Sequence, residues 1–194
     1  MGLVSARFSF STLRNGDLNV TSHETSLKPD TIGFARTQPV DIYVDGSYDV
    51  VSKKGGWAFV VFEGDDILVT QSGTVAAGTN NAVEVVATLN AARWASENIP
   101  LARVTIWSDS MHVVEGCNHW RPIWRNNGWK HYNPNPRARN RRIADWALWT
   151  ALDRHLLQNQ QLAVAWCKGH QGHIGNELAD RLAAAANASG SARP

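Results

Sequence analysis

From Asp41 onward the hydrophobic period of the chain switches between two and 3.6 in a definite order, and that order limits the architecture more than any single motif does. Residues 41–45 (Asp-Ile-Tyr-Val-Asp) alternate, are β-branched or aromatic at three positions and stop at Gly46-Ser47, which predicts a strand with an acid at its C-terminal end. Strand-like runs at 56–62 and 67–72 follow, joined by the turn-rich Glu63-Gly64-Asp65-Asp66, so a three-stranded antiparallel meander is expected. Thr79-Asn80-Asn81 then supplies N-cap chemistry for a helix over about 82–97. A strand at 103–108 ends at Asp109 and passes into a short helix at 110–116. A helix at 139–157, a strand at 162–167 and a last helix at 175–187 complete the run. Three strands followed by alternating helix and strand describe an α/β fold, a mixed sheet with helices on its faces.

Bulk properties narrow the class. At 194 residues and 43% hydrophobic, the chain fits one domain with a substantial core and a tail. The formal charge of +2 hides an asymmetry: residues 116–144 hold Arg121, Arg125, Lys130, Arg137, Arg139, Arg141 and Arg142 and no acid, so local charge is the better guide to partners. Cys117 and Cys167 lie in no zinc-type spacing and read as reduced thiols of a cytoplasmic protein. No apolar run approaches the roughly 20 residues that span a bilayer, so no membrane partner is expected. The first 40 residues are polar, show no sustained period and are expected to form a flexible extension; an organellar transit peptide is a minor alternative against which Asp17, Glu24 and Asp30 count. Residues 189–194 read as a frayed end.

Four acids stand where an acid is locally out of place: Asp45, Glu84, Asp109 and Asp180 each lie inside or at the end of an apolar element. In open α/β sheets, sites form outside the carboxyl ends of strands, which is where Asp45 and Asp109 sit; Glu84 and Asp180 would have to reach that edge from helices. Gathered together, the four would oppose one another's ionisation unless a cation neutralised them. A hard ion such as Mg²⁺ takes oxygen ligands and keeps some of its waters, so such a cluster suits metal-assisted phosphodiester chemistry. Singly, each acid has a competing explanation: the helix dipole for Glu84, placed in a first helical turn, and an ion pair with Arg181 for Asp180.

The motifs taken in order resemble the type 1 ribonuclease H family over residues 41–188. The resemblance rests on Val44-Asp45-Gly46-Ser47, Thr79-Asn80-Asn81 leading to Glu84, Ser108-Asp109-Ser110, Trp120/Trp124/Gly128-Trp129-Lys130, Lys168-Gly169-His170-Gln171-Gly172-His173 and Asn176-Glu177-Leu178-Ala179-Asp180. It implies a five-stranded ribonuclease H-like sheet, three antiparallel strands and then parallel ones. It also implies a monomeric endonuclease that hydrolyses the RNA strand of an RNA·DNA hybrid, leaving 5′-phosphate and 3′-hydroxyl ends. Asp45, Glu84, Asp109 and Asp180 would hold two Mg²⁺ ions, with Mn²⁺ as an alternative, and His170 would assist proton transfer or product release.

Substrate contacts follow from the same likeness. Glu84, Asn81 and the backbone near Gly46 would lie on the RNA side, and Ser47, Asn80 and Asn176 are carried over as further contacts. Thr79 and Asn140 would bind a DNA-strand phosphate. Residues 116–142 match a basic protrusion in which Trp120, Trp124, Trp129 and Lys130 would grip the hybrid; the alternative is that the three indoles pack the protrusion together. Three departures from the family pattern stand out: Tyr48–Lys54 replaces a glycine- and proline-rich loop, Ala77 and Ala82 replace basic positions, and Met111 replaces a polar one. The rival readings are a catalytically silent nucleic-acid-binding module of the same fold and a DNA-processing relative.

Overall fold

The computed structural model describes residues 21–25, 39–131, 142–169 and 172–191. Among these residues six strands form one sheet: β1 (Thr21–Thr25), β2 (Val40–Asp49), β3 (Lys54–Glu63), β4 (Asp66–Ala76), β5 (Val104–Ser108) and β6 (Leu162–Trp166), in the spatial order β1-β4-β3-β2-β5-β6. The expected five-stranded mixed sheet is there, with β2, β3 and β4 antiparallel and β5 and β6 parallel to β2. The sixth strand comes from the extension expected to be flexible: β1 pairs antiparallel with β4, from Thr21 opposite Thr74 to Thr25 opposite Thr70.

Helices α1 (Asn80–Asn98) and α5 (Ile174–Ser191) cover opposite faces of this sheet. Successive residues of a strand point to opposite faces. A methyl group added at Gly55 would strike Val83 of α1, whereas one added at Gly56 would strike the Ala183 carbonyl and Asn187 of α5. The central strand β3 is buried from Gly55 through Val61, as a strand covered on both sides must be. Ile42, Val44, Phe59, Val83, Ala91, Ile106, Trp149 and Leu152 are all buried in the core.

The helical boundaries differ from those expected, each for a local reason. Helix α1 starts two residues early because Thr79 caps it, its hydroxyl accepting from the Ala82 N–H at 3.1 Å. Glu84 therefore lies beyond the first turn, where the helix dipole explains little of its placement. The short helix α2 (Met111–Glu115) does not stop at Gly116 but runs through a π-helical turn, Gly116–Trp120, into α3 (Arg121–Asn126). Helix α4 spans Trp146–Gln158; Asp145, at φ 53°, lies in the left-handed region and cannot continue a right-handed helix, so the expected start at 139 is corrected. Helix α5 extends to Ser191 instead of fraying after Asn187, and the Lys54 ammonium donates to the Gly190 carbonyl there at 2.6 Å.

Candidate active site

Strand register levels two of the acids. Strands β2 and β5 are paired in parallel with Tyr43 opposite Trp107, and Asp45 and Asp109 each lie two residues further on. Glu84 reaches the same edge from α1. That helix can approach β2 closely because position 46 is glycine: a Cβ there would sit 2.8 Å from the Glu84 nitrogen and 2.9 Å from the Val83 carbonyl carbon. Carboxylate oxygens of Asp45, Glu84 and Asp109 consequently lie within 4.8 Å of one another. Asp180, half-buried on α5, is outside that trio, yet its charge is felt by Asp45.

The electrostatics follow from the crowding. Burial is the main force pushing Asp45 up to about 7, and the charges of Asp109 and Asp180 add to it. Glu84 is driven further, to about 9, by burial and then by Asp45 and Asp109; the Asn80 side chain, 3.4 Å from Oε1, and the Gly46 amide pull weakly the other way. Glu84 Oε2 is buried and has no hydrogen-bond partner among the described residues. An orphaned carboxylate oxygen beside two further carboxylates is a donor set suited to a hard divalent cation, whose charge would replace the missing partner.

Several other predicted residues flank this cluster. Thr79, Asn80 and Asn81 are exposed at the N-terminus of α1, and Ser47 accepts from the Asn187 amide at 3.3 Å. Asn176 needs correction as a substrate contact: it is fully buried, and its amide donates to Asp109 Oδ2 at 3.3 Å, so it faces the acids and has no surface to offer a ligand. Gly169 also abuts Asp109, since a Cβ there would come within 2.5 Å of Oδ2. His170 and Asn140 lie outside the described residues, as do Arg137, Arg139 and Arg141.

The Trp/Arg stretch is more self-contained than its sequence suggests. His112, Trp120, Trp124 and Trp149 close a ring of aromatic contacts, with centroids 5.2–5.8 Å apart. Trp124 is thereby engaged in packing, while Trp120 keeps 37% of its surface exposed. Arg121 and Arg125 both donate to Asp153, at 2.7 and 2.8 Å. This buried acid arrives from α4, beyond the acid-free window, so the stretch carries less free positive charge than a local count implies. Trp129 has φ 60° and is half-buried; Lys130 pairs through its backbone with Arg142, whose guanidinium lies 4.2 Å from the centre of the Trp146 ring. Where Ala77 and Ala82 replace basic residues, they line with Gly78, Asp145 and Trp146 an open hollow of about 280 Å³.

In place of the glycine- and proline-rich loop, β2 and β3 continue as a paired hairpin to Asp49 and Lys54. Asp49 closes the turn, accepting from the Val51 N–H at 2.8 Å and the Ser52 hydroxyl at 2.9 Å, bonds that hold its carboxyl below the usual range. The Tyr48 hydroxyl donates to the Gly78 carbonyl at 3.1 Å and ties this hairpin to the loop before α1.

Comparison with known proteins bears directly on this arrangement. The family model for RNase H matches residues 37–188. The chain belongs to the ribonuclease H family. Among curated relatives, Ribonuclease H of Dichelobacter nodosus is 35% identical over 144 residues, 74% of this chain and 89% of the relative. Ribonuclease H of Rhodopirellula baltica is 33% identical over 153 residues, 78% and 92% of the two chains. Among solved structures, LC9-RNase H1, described as a type 1 RNase H with the type 2 active-site motif, superposes with a TM-score of 0.64 at 26% identity, covering 81% of this chain and 75% of the other. The foamy viral protease-reverse transcriptase in complex with an RNA/DNA hybrid shares the fold with a TM-score of 0.67 at 20% identity, over 85% of this chain and 22% of that one. Membership makes this protein a ribonuclease, a hydrolase. Among the described residues, no helix is long and apolar enough to cross a membrane.

Proposed function

We propose that this ribonuclease H cuts the RNA strand of RNA·DNA hybrids as a monomeric endonuclease, using two divalent cations held by Asp45, Glu84, Asp109 and Asp180, and leaves 5′-phosphate and 3′-hydroxyl ends. The observation that carries the reading is the trio of carboxylates within 4.8 Å at one sheet edge, one of them with an unpartnered buried oxygen. Bound there, Mg²⁺ would supply Lewis-acid polarisation of the phosphate and a more acidic water. Asp45 belongs to the trio with Glu84 and Asp109 and also feels the charge of Asp180, so it is the acid best suited to serve both cations.

Around the acids, the protein's own task is to orient the hybrid. Exposed Asn81, on the helix that carries Glu84, would make minor-groove contacts that distinguish a 2′-hydroxyl from its absence, with Asn80 a further contact. Thr79 would meet a DNA-strand phosphate together with Asn140, and Trp120, Trp129 and Lys130 would grip the duplex further out. By family likeness His170 would assist proton transfer or product release, tasks suited to an imidazole, whose ordinary pKa is about 6.5.

A cleavage panel tests the reading. Labelled hybrid, duplex RNA, duplex DNA and single strands are incubated at low salt with Mg²⁺ or Mn²⁺ titrated from zero. The expected result is cutting of the hybrid's RNA strand alone, strictly dependent on the cation, with 5′-phosphorylated products. Binding of hybrid without cutting at any metal concentration would establish the silent-module alternative, and cutting of duplex DNA the DNA-processing one.

A further inference from the structure

One hydrogen-bonded chain in the molecule starts at a thiol and ends on a carboxylate of the site. Cys167 follows β6 directly, and its backbone N–H donates to the Ser108 carbonyl at 3.0 Å, which seats it beside the end of β5 that carries Asp109. Its side chain is buried, and Sγ lies 3.4 Å from Asn176 Oδ1. Asn176, wholly enclosed in the first turn of α5, passes the interaction on: its Nδ2 donates to Asp109 Oδ2 at 3.3 Å. A carboxamide has nearly the same shape after a 180° flip, so the partner at one end decides what the other end presents. A thiol donor facing Oδ1 leaves the NH₂ group for Asp109. The flipped amide would set an oxygen against the carboxylate, two acceptors with no proton between them.

We infer that Cys167 and Asn176 are positioning residues for Asp109: the thiol sets the orientation of the amide, and the amide holds one carboxylate oxygen so that the other is presented to a divalent cation. The inference rests on the metal-dependent reading proposed above. Geometry restricts the carboxylate from a second direction, because Gly169 closes on the same oxygen, Oδ2, leaving no room for a side chain. Asp109 is thus confined by the loop on one side and by the amide of α5 on the other. Outer partners of this kind typically tune metal affinity by about 10–100-fold.

The test measures metal binding by calorimetry on the full chain with MnCl₂ or MgCl₂ alone and no nucleic acid, alongside thermal melting in chelator. Asn176→Ala should weaken binding by roughly 10–100-fold. Cys167→Ala should weaken it by a smaller factor, whereas Cys167→Ser, whose hydroxyl also donates, should restore wild-type affinity. Because the two act in series, Cys167→Ala combined with Asn176→Ala should bind no more weakly than Asn176→Ala alone. Cys117→Ala is the packing control: Cys117 is equally buried but near Arg121 and Asp153, and its loss should leave metal binding unchanged. Wild-type affinity in Cys167→Ala, or equal losses in the Ala and Ser variants, would overturn the positioning role, as would additive losses or a matching loss in Cys117→Ala. If Asn176→Ala does not fold, the Cys167 pair still decides. A wild-type chain that binds neither ion would instead overturn the metal-dependent reading itself.

Discussion

Two carboxylates in this protein are held far from their ordinary state, and each carries a consequence that can be measured. In the folded, metal-free chain Asp45 titrates at about 7 and Glu84 at about 9, against about 4 for the same groups in an unfolded chain. Between those limits the folded state binds more protons than the unfolded one, so stability is full below about pH 4 and is lost as pH rises through 7 and 9. Melting temperature in chelator should therefore fall from pH 5 to pH 9. Glu84→Gln should melt higher than wild type at pH 8 and flatten the profile; a profile that rises over this range would contradict the burial of these acids. Added divalent cation should reverse the loss. For turnover, Asp45→Asn and Asp109→Asn should each cost roughly 10²-fold or more, as expected when charge stabilisation at the reacting group is removed. Full activity in Asp109→Asn under saturating Mg²⁺ would sink the assignment. Gly169→Ala tests closeness rather than charge: with its methyl 2.5 Å from Asp109 Oδ2, it should slow cleavage while leaving melting nearly unchanged, because the methyl meets a carboxylate of the site and not the hydrophobic core.

Elements place these residues, and the protrusion illustrates how. Helix α3 has no buried side chains of its own and leans on α4 through aromatic contacts and through Asp153. Both Arg121 and Arg125 donate to that one buried oxygen. Asp153→Ala should cost about 2 kcal/mol, since the arginines are partly exposed and can recover water. It should also raise KM for the hybrid more than it lowers turnover, because the protrusion loses its anchor while the acids keep theirs. Urea denaturation and steady-state kinetics check the two halves; an equal effect on kcat would mean that the protrusion shapes the acid cluster directly. The aromatic ring of His112, Trp120, Trp124 and Trp149 is a second element-scale brace. A count of tryptophans and arginines along the chain cannot separate brace from grip, since both use the same residue types and differ only in what lies opposite.

At the scale of the molecule, the site and the extra strand occupy different parts of the sheet. The acids gather where β2 meets β5, whereas β1 adds to β4 at the far edge, with β3 between β4 and β2. Removal of residues 1–38 should therefore leave hybrid cleavage within about twofold of the full chain and lower melting by a few degrees, through loss of one edge pairing. A large fall in activity would assign the extension a role at the substrate that its place in the sheet does not suggest.

Periodicity, with the turn and cap residues between the runs, was enough to derive the five strands from β2 to β6 and helices α1, α2, α4 and α5, because burial on one face or both leaves a pattern that the chain itself carries; it held no sign of β1 or α3. The motifs sufficed for the family, and the placement of Asp45 and Asp109 at strand ends follows from local pattern. What needed the tertiary structure was everything set by a distant partner. The register that levels Asp45 with Asp109, the glycine-permitted approach of α1 that carries Glu84 inward and the salt link from Asp153 all join residues far apart in sequence. So does the turn of Asn176 away from substrate toward Asp109, with Cys167 behind it, a residue that sequence reading could treat only as a spare thiol. Local pattern records which way a side chain must point to be buried; it holds no record of which other side chain will be waiting there.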